Sequence, residues 1–180
     1  PEEADIHVLP TLWFSNLWSF EEKKSKPIIE TIPNLQGFSG VKATCEKLGD
    51  YNLYFENPDQ LLFTENETNM ERIFNTPNET PFVKDLFHNT VVQNNFEVFE
   101  GVNSGTKFSP YYRRKLKSGE STTFKLRLGK EEQITNPFTP KFTEVFDQRI
   151  QEADDFYEKF IPKGLNDDLR NIQRQAFAGM

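Results

Sequence analysis

Residues 61–69 read Leu61-Leu62-Phe63-Thr64-Glu65-Asn66-Glu67-Thr68-Asn69, and the rest of the chain is interpreted outward from them. An apolar run typical of a strand changes directly into polar residues, with no glycine or proline between. A surface turn is normally marked by Gly, Pro or Asp. The stretch therefore indicates a functional site or a buried hydrogen-bonded corner. An edge strand that enters a solvated loop explains it equally well.

The composition indicates one domain, or one domain with a helical appendage, in 180 residues. Eighteen Phe would supply most of a core. The net charge of −7 argues against a nucleic-acid partner, and no apolar run approaches the roughly 18 residues of a membrane span. Cys45 is the only cysteine, which favours a reducing, cytoplasmic compartment. The chain opens at Pro1 without Met, which indicates a processed or excised piece.

Alternating apolar residues predict short strands in the first half of the chain. Residues 5–14 form one such pattern. Pro10 within it predicts a sheet edge or a bulge, because proline cannot donate to a strand ladder. Further strands are predicted over residues 28–32, 40–46 and 51–55.

Two turns predict how strands pair. Asn57-Pro58-Asp59 directly precedes residues 61–63, and the short connection predicts a hairpin with the strand before it. Lys117-Ser118-Gly119-Glu120 separates residues 106–116 from residues 121–128 and predicts the clearest hairpin of the chain. The basic run that ends at this turn is interpreted as a solvated strand face and not as a phosphate site.

The pattern becomes helical after residue 139. Thr139 is a predicted N-cap with Pro140 at the first helical position, and apolar residues follow helical spacing as far as Pro162. Asn166 is predicted to cap a second helix. Residues 70–100 lack clear periodicity, which is usual for functional or interfacial segments; a helical turn at its start and a short helix or loop over the sheet are expected there.

Glu65 and Glu67 are candidates for acid–base chemistry, because glycoside hydrolysis needs two carboxyl groups across a sugar. The alternative, which we favour, is that they accept hydrogen bonds from backbone or Asn groups. Trp13 and Trp18 could stack on the apolar face of a pyranose, although tryptophan is more often found in a core or an interface. The sequence has no Ser-His-Asp pattern, no Gly-rich phosphate loop and no metal-ligand spacing, so we expect no cofactor and no metal.

Several segments together resemble one enzyme family. Their order and spacing are similar to those of the glucosidase-like proteins related to glycoside hydrolase family 63, which include the processing α-glucosidase I type and the mannosylglycerate and glucosylglycerate hydrolases. The segments are residues 9–19, 61–69, 80–85, 105–107 and 173–180. The chain departs from the family pattern in Ser15-Asn16-Leu17, where Arg and Thr would be expected at the first and third positions.

The resemblance implies a mainly β fold, with an incomplete antiparallel β-sandwich of the supersandwich type over residues 1–136. Residues 137–180 would form a helical linker and the first helices of an (α/α)6 barrel, which carries the catalytic acid and base and is otherwise missing here. The chain would be a non-catalytic segment of an inverting α-glycosidase that supports the barrel and forms one wall of its sugar pocket. A standalone sandwich module that binds carbohydrate or protein is the alternative.

None of the candidate site residues is predicted to be catalytic. Those expected to touch the sugar or to hold catalytic loops in position are Trp13, Trp18, Glu65, Asn66, Glu67 and Asn69. The expected partners are a carbohydrate, the missing barrel and a second copy of the chain, because exposed sheet edges and apolar helix faces drive pairing. The polar side chains of residues 64–69 are expected to find their hydrogen-bond partners in the loops of the barrel.

Overall fold

The computed structural model describes residues 2–20, 25–130 and 134–179. The chain divides into two compact units, Pro1–Thr135 and Asn136–Met180. The described residues are mainly β, with antiparallel sheets and a few helices. No helix in these ranges is long and apolar enough to cross a membrane. Most of the charged run at residues 21–26 and the last residue of the family-like segment 173–180 lie outside the described residues.

The first sheet is built on strand β8 (Lys107–Leu116), whose partners are all antiparallel. One edge of β8 pairs with β1 (Ala4–Val8) and β2 (Leu12–Trp13), and the other pairs with β6 (Gln60–Thr64). β1 and β2 keep the same register along β8, so they are one strand interrupted around Pro10. The predicted break on an edge strand is therefore confirmed, because the missing N–H of proline is tolerated at such a position.

The second sheet has five strands and contains the predicted strands 28–32, 40–46 and 51–55. All of its pairings are antiparallel. Their order across the sheet is β7 (Ser104–Gly105), β3 (Ile28–Thr31), β4 (Ser39–Cys45), β5 (Gly49–Phe55) and β9 (Leu126–Gly129).

Both predicted hairpins are wrong, although the turns themselves are present. β5 and β6 belong to different sheets, as do β8 and β9, so each turn carries the chain from one sheet to the other. At the first turn, Asp59 donates its N–H to the carbonyl of Tyr111, 2.9 Å away, and its carboxylate accepts from the backbone N–H of Arg113 at 2.7 Å. Turn residues specify a reversal of direction, whereas such long-range bonds decide which strand lies alongside.

Side chains from both sheets share one core. Ile29, Val41 and Phe55 enter it from the second sheet, and Phe63 and Phe108 enter it from the first; all five are fully buried. Phe63 and Phe108 are opposite each other on β6 and β8, with ring centroids 4.7 Å apart. Aromatic pairs at this spacing add to the free energy gained from burial.

The opposite face of β6 and β8 is covered by helical residues. Leu62 and Tyr111 point to this face and pack with Phe87 and Phe99. Phe87 lies on helix α2 (Leu86–Gln93), and Phe99 ends a short 3-10 helix, Glu97–Phe99. The helix expected within residues 83–92 is therefore present and lies over the sheet. The expected helical turn is α1 (Met70–Phe74).

The second unit contains helices α3 (Pro140–Glu158) and α4 (Asp167–Ala178). Thr139 and Asn166 occupy the predicted N-cap positions. The Asn166 side chain accepts from the N–H of Leu169 at 2.9 Å, whereas the Thr139 side chain makes no capping hydrogen bond. Neither helix buries a residue within the described part of the chain. Large apolar side chains are exposed on both: Val145, Phe146, Ile150, Phe156, Leu169, Ile172 and Phe177.

Candidate functional site

Strand β6 ends at Thr64, and the polar residues that follow it turn against β7 and β8. Thr106 holds the first of them. Its hydroxyl donates to Oε2 of Glu65 at 2.7 Å and accepts from the backbone N–H of Asn66, also at 2.7 Å. Its own N–H donates to the carbonyl of Thr64 at 3.1 Å. One buried threonine, 1% exposed, thus holds Thr64, Glu65 and Asn66 in place. We call residues 64–69 the corner.

The close approach of these two backbones requires glycine at position 105. A Cβ atom added there would lie 2.5 Å from the carbonyl oxygen of Thr64 and 3.1 Å from its carbonyl carbon. Both atoms belong to the backbone, so no side-chain rotation relieves the overlap. Gly105 therefore lets Thr106 reach the corner.

A second set of bonds ties the corner to the segment that contains Trp18 and Lys26. The indole Nε1 of Trp18 donates to Oε1 of Glu67 at 2.9 Å, and the Nδ2 of Asn66 donates to the carbonyl of Phe14 at 2.9 Å. Lys26 Nζ lies 3.2 Å from Oε2 of Glu65 and 3.1 Å from Oε1 of Glu67. Burial opposes the charge of Lys26, but its hydrogen bonds to Glu67 and Glu65 outweigh that effect and raise its pKa.

Asn69 closes the corner and starts helix α1. Its Oδ1 accepts from the backbone N–H of Arg72 at 3.0 Å, and its Nδ2 lies 3.2 Å from both carboxylate oxygens of Asp85. Asn78 donates to the same Oδ1 at 3.0 Å and accepts from the N–H of Met70 at 2.7 Å. These bonds provide acceptors for the free N–H groups at the start of helix α1, which has no buried residue of its own.

The structure brings together five of the predicted site residues: Trp18, Glu65, Asn66, Glu67 and Asn69. Trp13 lies on β2 with 57% of its surface exposed and contributes to neither cleft described below. Thr106, Trp18 and Lys26 of the same unit supply partners for Glu65, Asn66 and Glu67, whereas the Thr64 hydroxyl has none among the described residues. These partners are 39 to 49 residues away along the chain, and no local pattern singles them out. Contact of this stretch with barrel loops stays a prediction.

Trp18 lies between two clefts in the first unit. The apolar cleft has a volume of about 610 Å³ and is lined chiefly by Phe14, Leu17, Trp18, Pro27, Cys45 and Leu48. The polar cleft has a volume of about 580 Å³ and includes Asn16, Trp18, Phe20, Lys26, Glu67 and Asn78 in its lining. Both volumes fall within the usual range for small-molecule sites, about 300–1,000 Å³.

Comparison with known proteins finds a relative in yeast. The chain is similar to the uncharacterized protein YMR196W of Saccharomyces cerevisiae, with 28% identity over 212 aligned positions that cover 99% of this chain and 19% of the yeast protein. The chain thus spans about a fifth of the length of the curated relative that it matches. No protein-family model matches the chain. No solved structure matches it either.

Proposed function

We propose that this chain is the non-catalytic N-terminal part of a glucosidase-like glycoside hydrolase related to family 63. In this proposal the two sheets form an incomplete β-sandwich, and residues 137–180 lead into an (α/α)6 barrel that carries the catalytic acid and base. The sandwich supports the barrel and forms one wall of its sugar pocket. The complete enzyme hydrolyses α-glucosidic or related bonds with inversion, in a reducing, cytoplasmic compartment.

The observation that carries the proposal is the shared ammonium between Glu65 and Glu67. An inverting hydrolase keeps its two carboxyl groups about 6.5–9.5 Å apart, with the sugar and a water between them. Here Lys26 Nζ lies 3.2 Å from one carboxylate and 3.1 Å from the other, so the two oxygens are at most 6.3 Å apart, the sum of those distances. Thr106 and Trp18 also donate to these carboxylates, so both are already engaged by groups of the protein. This geometry favours a supporting role for the corner over an acid–base role.

Two further observations support a place in a larger protein. The helices of the second unit expose apolar side chains such as Phe146 and Ile172, with exposed fractions of 60% and 56%. Faces of this kind are normally covered by another element. The yeast relative is about five times the length of the matched segment.

The first test compares the 180-residue chain with the complete protein. We expect the chain alone to show no turnover of aryl or oligosaccharide α-glucosides, because the proposed acid and base lie outside it. The complete protein should hydrolyse them. Turnover by the chain alone that is lost in Glu65→Gln or Glu67→Gln would make these carboxylates catalytic and would overturn the proposal.

The second test asks whether the corner positions the catalytic loops. In the complete protein, Glu65→Ala should lower kcat strongly while the β unit stays folded, because the carboxylate orients its neighbours without touching the reacting bond. The thermal midpoint should fall, since the contacts of Glu65 with Thr106 and Lys26 are lost, but the unit should remain folded at the assay temperature. Glu100→Ala, an exposed carboxylate on the same unit, is the matched control. A wild-type kcat in Glu65→Ala would count against the proposal, and a collapse of the fold would favour a purely structural corner.

A standalone module that binds carbohydrate or protein is the second candidate function. The clefts on either side of Trp18 favour it, because both are large enough for a ligand. The two proposals differ in one result: a complete protein that binds sugars without hydrolysing them would favour the module.

A further inference from the structure

We propose that the polar cleft is itself a binding site for an uncharged oligosaccharide, independent of any pocket in the barrel. The inference rests on the proposed function only for the choice of an α-glucoside as the sugar. It is argued from the aromatic surface in the cleft, from the way the polar groups are held and from the balance of charge.

The aromatic surface of the cleft suits the apolar face of a pyranose. The edge of the Trp18 indole is occupied, since its Nε1 donates to Oε1 of Glu67, and this bond fixes the orientation of the ring. Trp18 is part of the cleft wall. Phe20 lines the same cleft and is 83% exposed, so its ring is accessible to a ligand. Two aromatic side chains in one cleft can contact successive sugar units of a chain.

The polar groups of the cleft are held in place before any ligand arrives. Asn78 accepts from the N–H of Met70 at 2.7 Å and donates to Asn69 at 3.0 Å, which fixes the plane of its amide. Thr68 accepts from Lys84 Nζ at 3.1 Å. An amide nitrogen has two N–H groups and a hydroxyl has two lone pairs, so each residue keeps hydrogen-bonding capacity beyond these contacts. Groups that are already ordered lose little entropy on binding a hydroxyl-rich ligand.

The charges of the described lining residues disfavour an anionic ligand. Among these residues Lys26 is paired with Glu65 and Glu67, at 3.2 Å and 3.1 Å, and Lys84 approaches the cleft only through its bond to Thr68. Glu79 adds a further carboxylate to the wall, so a phosphate or an acidic sugar would be repelled. A metal is equally unsupported, because the residues that the structure describes contain no group of three or more His, Cys, Asp or Glu side chains able to hold one. A neutral ligand with many hydroxyl groups is the class that matches this lining.

The test uses the 180-residue chain with Trp13→Phe, which leaves Trp18 as the only tryptophan. Titration with maltotriose, followed by fluorescence and by calorimetry, should show saturable binding in the millimolar range or tighter. Trp18→Leu, measured by calorimetry in the otherwise unchanged chain, should weaken binding by about tenfold or more. Trp13→Phe alone, outside the cleft, should leave the affinity unchanged within about twofold.

Two controls separate this site from the proposed enzyme. Inorganic phosphate should not compete with maltotriose, and Phe20→Ser should weaken binding while leaving the unfolding midpoint unchanged, since Phe20 is exposed. Absence of saturable binding, equal affinity in Trp18→Leu, or competition by phosphate would each overturn the inference. If the complete protein then still hydrolysed α-glucosides, the proposed function would survive without this site. If the chain bound maltotriose but the complete protein were inactive, this binding site would be supported and the proposed function overturned.

Discussion

Two buried threonines next to each other in space should respond in opposite ways to the same substitution. Thr106 and Thr64 are each 1% exposed, and both become valine by exchange of a hydroxyl for a methyl group of similar size. The Thr106 hydroxyl makes two hydrogen bonds, whereas that of Thr64 has no partner within the described chain. Size and burial are therefore matched, and only the hydrogen bonding differs.

The magnitude for Thr106→Val follows from the bonds that are lost. A bond to a carboxylate contributes about 1.5–3 kcal/mol to stability and a neutral bond about 0.5–1.5 kcal/mol. The Glu65 side chain is 21% exposed and can regain some hydration. The expected loss is therefore about 2–3 kcal/mol. The Thr64 hydroxyl is buried without a hydrogen bond, which costs free energy. Thr64→Val removes that cost, so it should leave the free energy of unfolding unchanged or raise it by up to about 1 kcal/mol.

Urea unfolding of the 180-residue chain measures both effects. Trp13 and Trp18 both lie in the first unit, so their fluorescence follows the unfolding of that unit. The slope of the free energy of unfolding against urea should stay constant, which separates a change in stability from a change in the unfolded state. Losses of similar size in the two variants would refute the reasoning, because hydroxyl removal as such, and not the bonds of Thr106, would then be responsible.

Further predictions concern the close approach at Gly105, the buried Tyr112 and self-association. In Gly105→Ala the added Cβ would lie 2.5 Å from the Thr64 carbonyl oxygen, so that carbonyl must move by several tenths of an ångström, and we expect the free energy of unfolding in urea to fall by about 2–4 kcal/mol. Ser104→Ala, at the exposed neighbouring position, is the control and should change stability by less than about 0.5 kcal/mol. Equal effects of the two substitutions would contradict the argument. Burial raises the pKa of Tyr112 to about 12 from an ordinary value of 10.0. The folded state thus holds this proton more tightly than the unfolded chain, and the associated stability, about 2–3 kcal/mol, is complete below pH 10 and lost as the pH rises to about 12. Tyr112→Phe should flatten the fall in the urea midpoint over that interval, and an unchanged fall would show that another group titrates. Exposed apolar faces on α3 and α4 should produce dimers or larger oligomers in sedimentation, and a clean monomer at high concentration would contradict this.

Local patterns in the sequence predicted most of the strands and helices, although the strand predicted over residues 121–128 is present only as Leu126–Gly129. The edge position of Pro10 follows from the missing N–H of proline, and the caps Thr139 and Asn166 follow from the preference of helix starts for residues of this kind. Strands 28–32, 40–46 and 51–55 follow from alternation and turn residues. Each of these features depends on residues within a few positions of one another, so one sequence suffices to find it.

Only the tertiary structure decided how the strands pair. The segments at residues 57–59 and 117–120 were predicted to join hairpin partners, but both connect different sheets. Whether a turn joins two paired strands or leads into the other sheet depends on contacts with residues far away in the sequence, such as the bonds of Asp59 to β8. The residues of the turn carry no information about such contacts.

The corner at residues 64–69 shows the same division. The sequence predicted that the polar side chains of residues 64–69 need hydrogen-bond partners, and it identified Glu65 and Glu67 as candidate site residues. Thr106 lies 41 residues after its partner Glu65, and Lys26 lies 41 residues before its partner Glu67. An ammonium shared by two carboxylates favours a structural anchor over an acid–base pair. That outcome depends on distances of about 3 Å between atoms far apart along the chain, and folding alone creates such distances.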